Sequence, residues 1–128
     1  MATEGYIETQ SLVAAADYSA ASNQGKIVRI DTAAAEQAII VSTLGARGDA
    51  VLMNKPKLGE ACELVTDGFG KALCGAAIAS GGLELTPDAT GRLIAAVSGN
   101  FVFAISRGST AAAGEWVGIK LCGPYAKP

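Results

Sequence analysis

The apolar positions of this chain recur in short runs, many of them β-branched or alternating, and glycine breaks most of them. Residues 6–12 alternate weakly, with Tyr6, Glu8 and Gln10 on one side and Ile7 and Thr9 on the other. That pattern suits an edge strand or an arm that orders only against a partner. Ala14-Ala15-Ala16 followed by Asp17 and Ser19 predicts a short turn or helical piece, with either polar residue as its N-cap. Lys26-Ile27-Val28-Arg29-Ile30 is β-branched, lies between Gly25 and Asp31, and predicts a strand. Ala33-Ala34-Ala35-Glu36 favours helix locally, yet Ala38-Ile39-Ile40-Val41 behind it has high β-propensity and leaves room for one turn. Asp49 to Met53 predicts another strand, closed by Asn54-Lys55-Pro56 because Pro56 cannot donate to a central ladder.

The rhythm continues through the second half. Ala61 to Val65 and Lys71 to Cys74 flank Thr66-Asp67-Gly68-Phe69-Gly70, which predicts a hairpin with Gly68 in the turn. Leu83-Glu84-Leu85 and Arg92-Leu93-Ile94 flank a second turn, Thr86 to Gly91. Phe101, Phe103 and Ile105 alternate with Val102, Ala104 and Ser106, a strand with one bulky face. Val117, Ile119 and Leu121 alternate with Trp116, Gly118 and Lys120 in the last one. Short strands at this spacing predict a mainly β fold: a small single-domain antiparallel β-sandwich or barrel with short helical turns and an extended N-terminal arm. The expected division is an arm over 1–16 and one β-rich domain over 17–128.

Composition sharpens this picture. A length of 128 residues suffices for one compact domain and is too short for two ordinary ones. Half the residues are apolar, but 25 are Ala and 16 Gly, so close backbone approach replaces bulk and the core rests on few Ile, Val, Leu and Phe. The formal charge of −2 argues against nucleic acid or an anionic membrane as main partner. The opening Met-Ala-Thr-Glu-Gly carries an acid where a signal peptide needs base, and no run reaches a membrane span. A cytoplasmic origin is therefore expected.

The candidate chemistry is thin. There is no histidine, which removes Ser-His-Asp and Cys-His nucleophile arrangements and His metal sites. Cys62, Cys74 and Cys122 form no Cys-x-x-Cys pair and are odd in number, so neither a disulfide framework nor a zinc site is expected, and all three read as buried, reduced thiols. Gly68-Phe69-Gly70 lacks the third Gly of a dinucleotide fingerprint, where Leu73 stands, and Gly70-Lys71 lacks the Ser/Thr of a P-loop. The acids are scattered singly, as in no calcium loop. The expectation is a non-enzyme with no cofactor and no metal.

The elements from Asp49 to Leu121 are, in order, Ala50-Val51-Leu52-Met53-Asn54-Lys55-Pro56, Gly59-Glu60-Ala61, Gly75-Ala76-Ala77-Ile78, Thr86-Pro87-Asp88-Ala89-Thr90-Gly91-Arg92, and Ala104-Ile105 leading through an Ala-rich spacer to Gly114-Glu115. In that order and spacing they resemble the capsid cement, or decoration, proteins of tailed double-stranded-DNA bacteriophages. The segment from Thr32 to Arg47 departs from that family's pattern. The resemblance implies a virion protein on the capsid exterior, assembled in the bacterial host cytoplasm, which bridges capsomers of the expanded head and stabilises it. The implied partners are the major capsid protein and further copies of the chain, a homotrimer first and a dimer second.

Within that expectation Tyr6, Ile7 and Leu12 are the candidate capsid contacts. Trp116, Phe101 and Phe103 are the candidate oligomer interface, because aromatics concentrate in interface cores; the same residues could equally fill the domain's own core. Two other classes stay open: another phage structural component, such as a head fibre base or tail-tube protein, and a small-molecule-binding β-barrel, which needs a pocket with convergent polar groups.

Overall fold

The computed structural model describes residues 12–128. Among the described residues ten strands form two five-stranded sheets. The first holds β1 (Val13–Ala14), β3 (Gln37–Ile40), β2 (Ile27–Ile30), β4 (Ala50–Leu52) and β5 (Leu64–Val65), in that spatial order. The second holds β6 (Phe69–Leu73), β10 (Trp116–Ala126), β9 (Phe101–Ser106), β7 (Glu84–Pro87) and β8 (Leu93–Ala95). All pairings between these strands are antiparallel except β1 with β3. The mainly β, single-domain reading of the sequence is therefore the observed fold.

The first sheet curls until its two ends meet. Val13 of β1 bridges Ala61, just ahead of β5. The Ala14 N–H donates to the Glu60 carbonyl at 2.9 Å, and the Cys62 N–H donates to the Leu12 carbonyl at 2.8 Å. The lumen so enclosed is filled by Ala14, Val28, Ala38, Ala50, Leu52 and Cys62, all buried. A small closed barrel has room only for side chains of this size, which is what the alanine content supplies. It encloses side chains rather than a ligand.

Strand alternation turns the other residues of β2 and β4 outward. Ile27 and Val51, with Val41 beyond β3, pack against Ala72, Cys74, Leu85, Leu93, Val117, Ile119 and Leu121 of the second sheet and its borders. The domain thus has two layers of apolar packing, one inside the barrel and one between barrel and sheet. Fully burying one Leu or Ile contributes about 1.5–3 kcal/mol, so the second layer, which holds more of the large side chains, dominates stability.

Several local expectations need correction. The hairpin expected across Thr66–Gly70 does not form, because β5 and β6 lie in different sheets. β5 pairs with β4 through Val51↔Val65 and Leu52↔Leu64, and β6 pairs with β10 over five residues. The turn instead carries the chain from barrel to sheet; turn chemistry specifies a change of direction and not the partner. Residues 13 and 14, expected within the arm, are a sheet strand, and Ala14 is fully buried. No helix follows Thr32: Asp31 caps a turn by accepting the Ala33 N–H at 2.9 Å, and β2 and β3 form a hairpin. The one helical turn of the described residues, a 3₁₀ turn at Ala21–Asn23, has no side-chain cap. Cys62 and Cys74 are buried as expected, but Cys122 is exposed, in the register break of β10 between Leu121 and Tyr125.

Thr86 offers a direct test of the packing. It is fully buried in β7, and its hydroxyl has no hydrogen-bond partner among the described residues. An unpaired buried hydroxyl costs about 1–3 kcal/mol, whereas an apolar isostere avoids that cost. Thr86→Val is expected to stabilise the domain by about 1 kcal/mol, or about 4 °C in Tm for a chain of this size. A lowered Tm would mean the hydroxyl does find a partner.

Candidate interaction surface

β10 presents Trp116, Gly118 and Lys120 away from the core while Val117, Ile119 and Leu121 are buried. Its neighbour β6 places Leu73, Lys71 and Phe69 opposite those three. The outer face of this pair is built from aromatic and cationic side chains in contact. The Lys71 ammonium lies 5.0 Å from the Trp116 ring centroid, and the Arg107 guanidinium 5.1 Å from that of Phe69. Such contacts contribute about 0.5–1 kcal/mol at exposed sites. Arg107 is fixed across the strands, because its Nε donates to the Ile119 carbonyl at 3.2 Å and its Nη2 to the Gly70 carbonyl at 3.3 Å. Phe69 is two-thirds exposed (68%), so this ring is offered to solvent.

Trp116 belongs to this face and also to an open cleft of about 400 Å³ beside it. Lys26, just before β2, and Arg92, just before β8, line the same cleft with Gln24, Ser22 and Thr90. The indole packs on the turn that leads into β2: a Cβ on Gly25, whose φ is +94°, would lie 2.6 Å from the ring. Only glycine accepts both that conformation and that approach. Residues 1–67 carry nine acids and five bases, residues 68–128 three acids and five bases, so the second sheet is the cationic side of an acidic protein.

A second apolar patch lies at the other end of β10. Leu44, Val97 and Phe101 are exposed around Asn100. Asn100 Oδ1 accepts the Val97 N–H at 2.9 Å, and the Phe101 N–H donates to the Gly45 carbonyl at 3.0 Å. Ala126 of β10 pairs with Phe101.

The aromatic residues expected to form one interface are therefore dispersed. Phe103 is 3% exposed and fills the layer between barrel and sheet, so it offers no surface in the folded chain. Trp116 and Phe101 sit at opposite ends of β10, about 25 Å apart at roughly 3.3 Å per residue across its register break. Of the expected capsid contacts, Tyr6 and Ile7 lie outside the described residues, and Leu12 is half-buried against the barrel core. The sequence reading missed Phe69, Arg107, Lys26 and Arg92. The cations stand singly among small residues, and only tertiary contacts bring Lys26 and Arg92 to the cleft of Trp116 and Arg107 to Phe69.

Near the end of β10, Glu84 binds two groups. Tyr125 Oη donates to its Oε2 at 2.5 Å, and the Lys127 ammonium pairs with its Oε1. The Lys127 contact first, then the Tyr125 one, holds the Glu84 carboxyl below its ordinary value. The hydrogen bond to Glu84 pushes the Tyr125 phenol up to about 12 from 10.0. The Glu84 contribution to stability is present above its ordinary range and lost as pH falls through the lowered value. The Tyr125 contribution is present below pH 10 and lost as pH rises toward about 12. In a spectrophotometric titration one tyrosine is expected to ionise near 12, and in Glu84→Gln that step should return toward 10. An unchanged tyrosine profile in Glu84→Gln would contradict the assignment.

No protein-family model matches the chain, and no curated protein sequence matches it. Among solved structures, the fold is similar to the head fiber gp8.5 N base of bacteriophage phi29, with a TM-score of 0.70 over 91% of this chain and 95% of that one at 12% identity. The architecture of this chain is thus one that a phage head protein uses.

Proposed function

We propose that this protein is a structural component of a phage head, seated on the outer surface of the expanded capsid as cement between capsomers. The observation that carries the proposal is the likeness over nearly the whole length of both chains to the head fiber base of phi29. The ordered elements from Ala50 to Glu115 that resemble the cement family support it independently. Head attachment by modest contacts repeated in many copies needs no catalytic group, because multivalency raises effective concentration. The major capsid protein is the proposed partner. Self-association, as a trimer ahead of a dimer, uses the exposed Leu44, Val97 and Phe101 patch, since a closed symmetric oligomer buries the same patch of every subunit.

The test is co-sedimentation with expanded, undecorated heads of the encoding phage. Saturable binding at a fixed ratio to the major capsid protein is expected, and absence of binding at micromolar protein would overturn the proposal. The phi29 likeness favours a second reading, the base of a head fibre. A cement protein raises the temperature at which heads release DNA, whereas a fibre base binds without that effect. For self-association, Phe101→Asp is expected to lower the native mass to that of a monomer with an unchanged far-UV circular dichroism spectrum. An unchanged mass places the contact elsewhere.

A further inference from the structure

The cleft beside Trp116 gathers groups from distant parts of the chain. Lys26, Arg92 and Trp116 stand at the starts of β2, β8 and β10 and line one opening of about 400 Å³, within the ordinary range of small-molecule sites. We propose that this cleft binds an anionic saccharide, with the indole as platform for a sugar ring and Lys26 and Arg92 as partners for its carboxylate or phosphate.

Each of these side chains is already held in place. Arg92 Nε donates to Thr90 Oγ1 at 3.1 Å, and Thr90 is fixed in turn by Asp88, which accepts its hydroxyl at 2.6 Å and its N–H at 2.8 Å. Lys26 Nζ donates to Asn23 Oδ1 at 3.2 Å, and Gln24 Nε2 to the Met53 carbonyl at 2.7 Å. The Trp116 indole is seated on Gly25. Ligand binding then orders little that is not already ordered, which removes a main cost of association.

The groups left over define the ligand. Neither Lys26 nor Arg92 has a carboxylate within 4.0 Å among the described residues, and Glu115, beside the cleft, turns its Oε1 to the Ala111 N–H instead. Two cations without a counter-ion among the described residues favour an anion, and the planar guanidinium suits a carboxylate or phosphate. Trp116 is 41% exposed and lines the cleft, with the Lys71 ammonium 5.0 Å from its ring centroid as a further cation beside it. The Ser22 hydroxyl and the Gln24 amide oxygen add donors and acceptors suited to sugar hydroxyls. The net charge of −2 disfavours nucleic acid, whose affinity comes mainly from broad phosphate neutralisation.

The chain has a single tryptophan, so its fluorescence reports this cleft alone. Titration of the full chain with tri-galacturonic acid is expected to shift or quench the emission saturably, while neutral galactotriose leaves it unchanged. Arg92→Gln and Lys26→Gln are each expected to weaken binding tenfold or more with an unchanged circular dichroism spectrum. Equal affinity for galacturonic acid monomer identifies a single acidic sugar as the ligand, and tighter binding of the trimer a polysaccharide; both support the site. No response to either acid, or an equal response to triglutamate or inorganic phosphate, overturns it. The proposal does not rest on head attachment, and co-sedimentation with heads fails or succeeds separately from this titration.

Discussion

Ile27→Ala is expected to cost the domain about 2–5 kcal/mol, the range for truncating a fully buried large aliphatic side chain. Ile27 is 0% exposed and, with Val51, is a barrel residue that packs in the layer shared with Phe103, Leu85 and Val117. Its loss removes transfer energy and leaves a cavity on a seam where both sides are rigid strands, so collapse into the space is limited. Native domains hold only about 5–15 kcal/mol in total, and the midpoint of urea unfolding should fall accordingly. Ile30 lies on the same strand but is 48% exposed, and Ile30→Ala is expected to cost less than about 1 kcal/mol. Equal costs at the two positions would refute the assignment of the inter-sheet layer as the main stabilising contact.

Gly91→Ala should cost about 2–5 kcal/mol for a different reason. Gly91 has a φ of +84°, which penalises any residue with a Cβ by about 1–2 kcal/mol. It also closes the β7–β8 turn against the barrel: its carbonyl accepts the Ile27 N–H at 2.7 Å, and a Cβ would lie 2.7 Å from the Ile40 side chain and 3.3 Å from the Val41 carbonyl. Forcing atoms into such a contact adds about 1–3 kcal/mol. Gly82 supplies the comparison, with a φ of +82° and nothing within 4 Å of a Cβ. Gly82→Ala is expected to show only the backbone cost of about 1–2 kcal/mol. The difference between the two variants in chemical denaturation measures how tightly the turn is pressed on the barrel; no difference would show that it is not.

The same turn illustrates what local sequence can carry. Thr86 to Gly91 predicts a turn from its own residues, and the structure has Asp88 Oδ1 accepting the Thr90 and Arg92 N–H groups there. The alternation of Val117, Ile119 and Leu121 with Trp116, Gly118 and Lys120 likewise predicts a strand with two distinct faces, and the structure decides that the first three are the buried ones. Thr66 to Gly70 carries turn chemistry of the same kind, yet the flanking strands part into different sheets. β6 matches β10 over five pairs, a choice made about 45 residues along the chain and invisible to a local pattern. Phe103 shows the limit from another side, since its alternation with Phe101 suggests a shared face and burial separates them.

By itself the sequence determined the class of fold, most strand positions, the absence of histidine chemistry and the use of alanine in place of bulk. These follow from period-2 patterning, turn residues and composition, which act over a few residues. The closure of the first sheet, the partners of β5 and β6, and the meeting of Lys26, Arg92 and Trp116 at one cleft were decided only by tertiary structure. They depend on pairings between segments tens of residues apart, where the free energy lies in packing and register that no single segment contains.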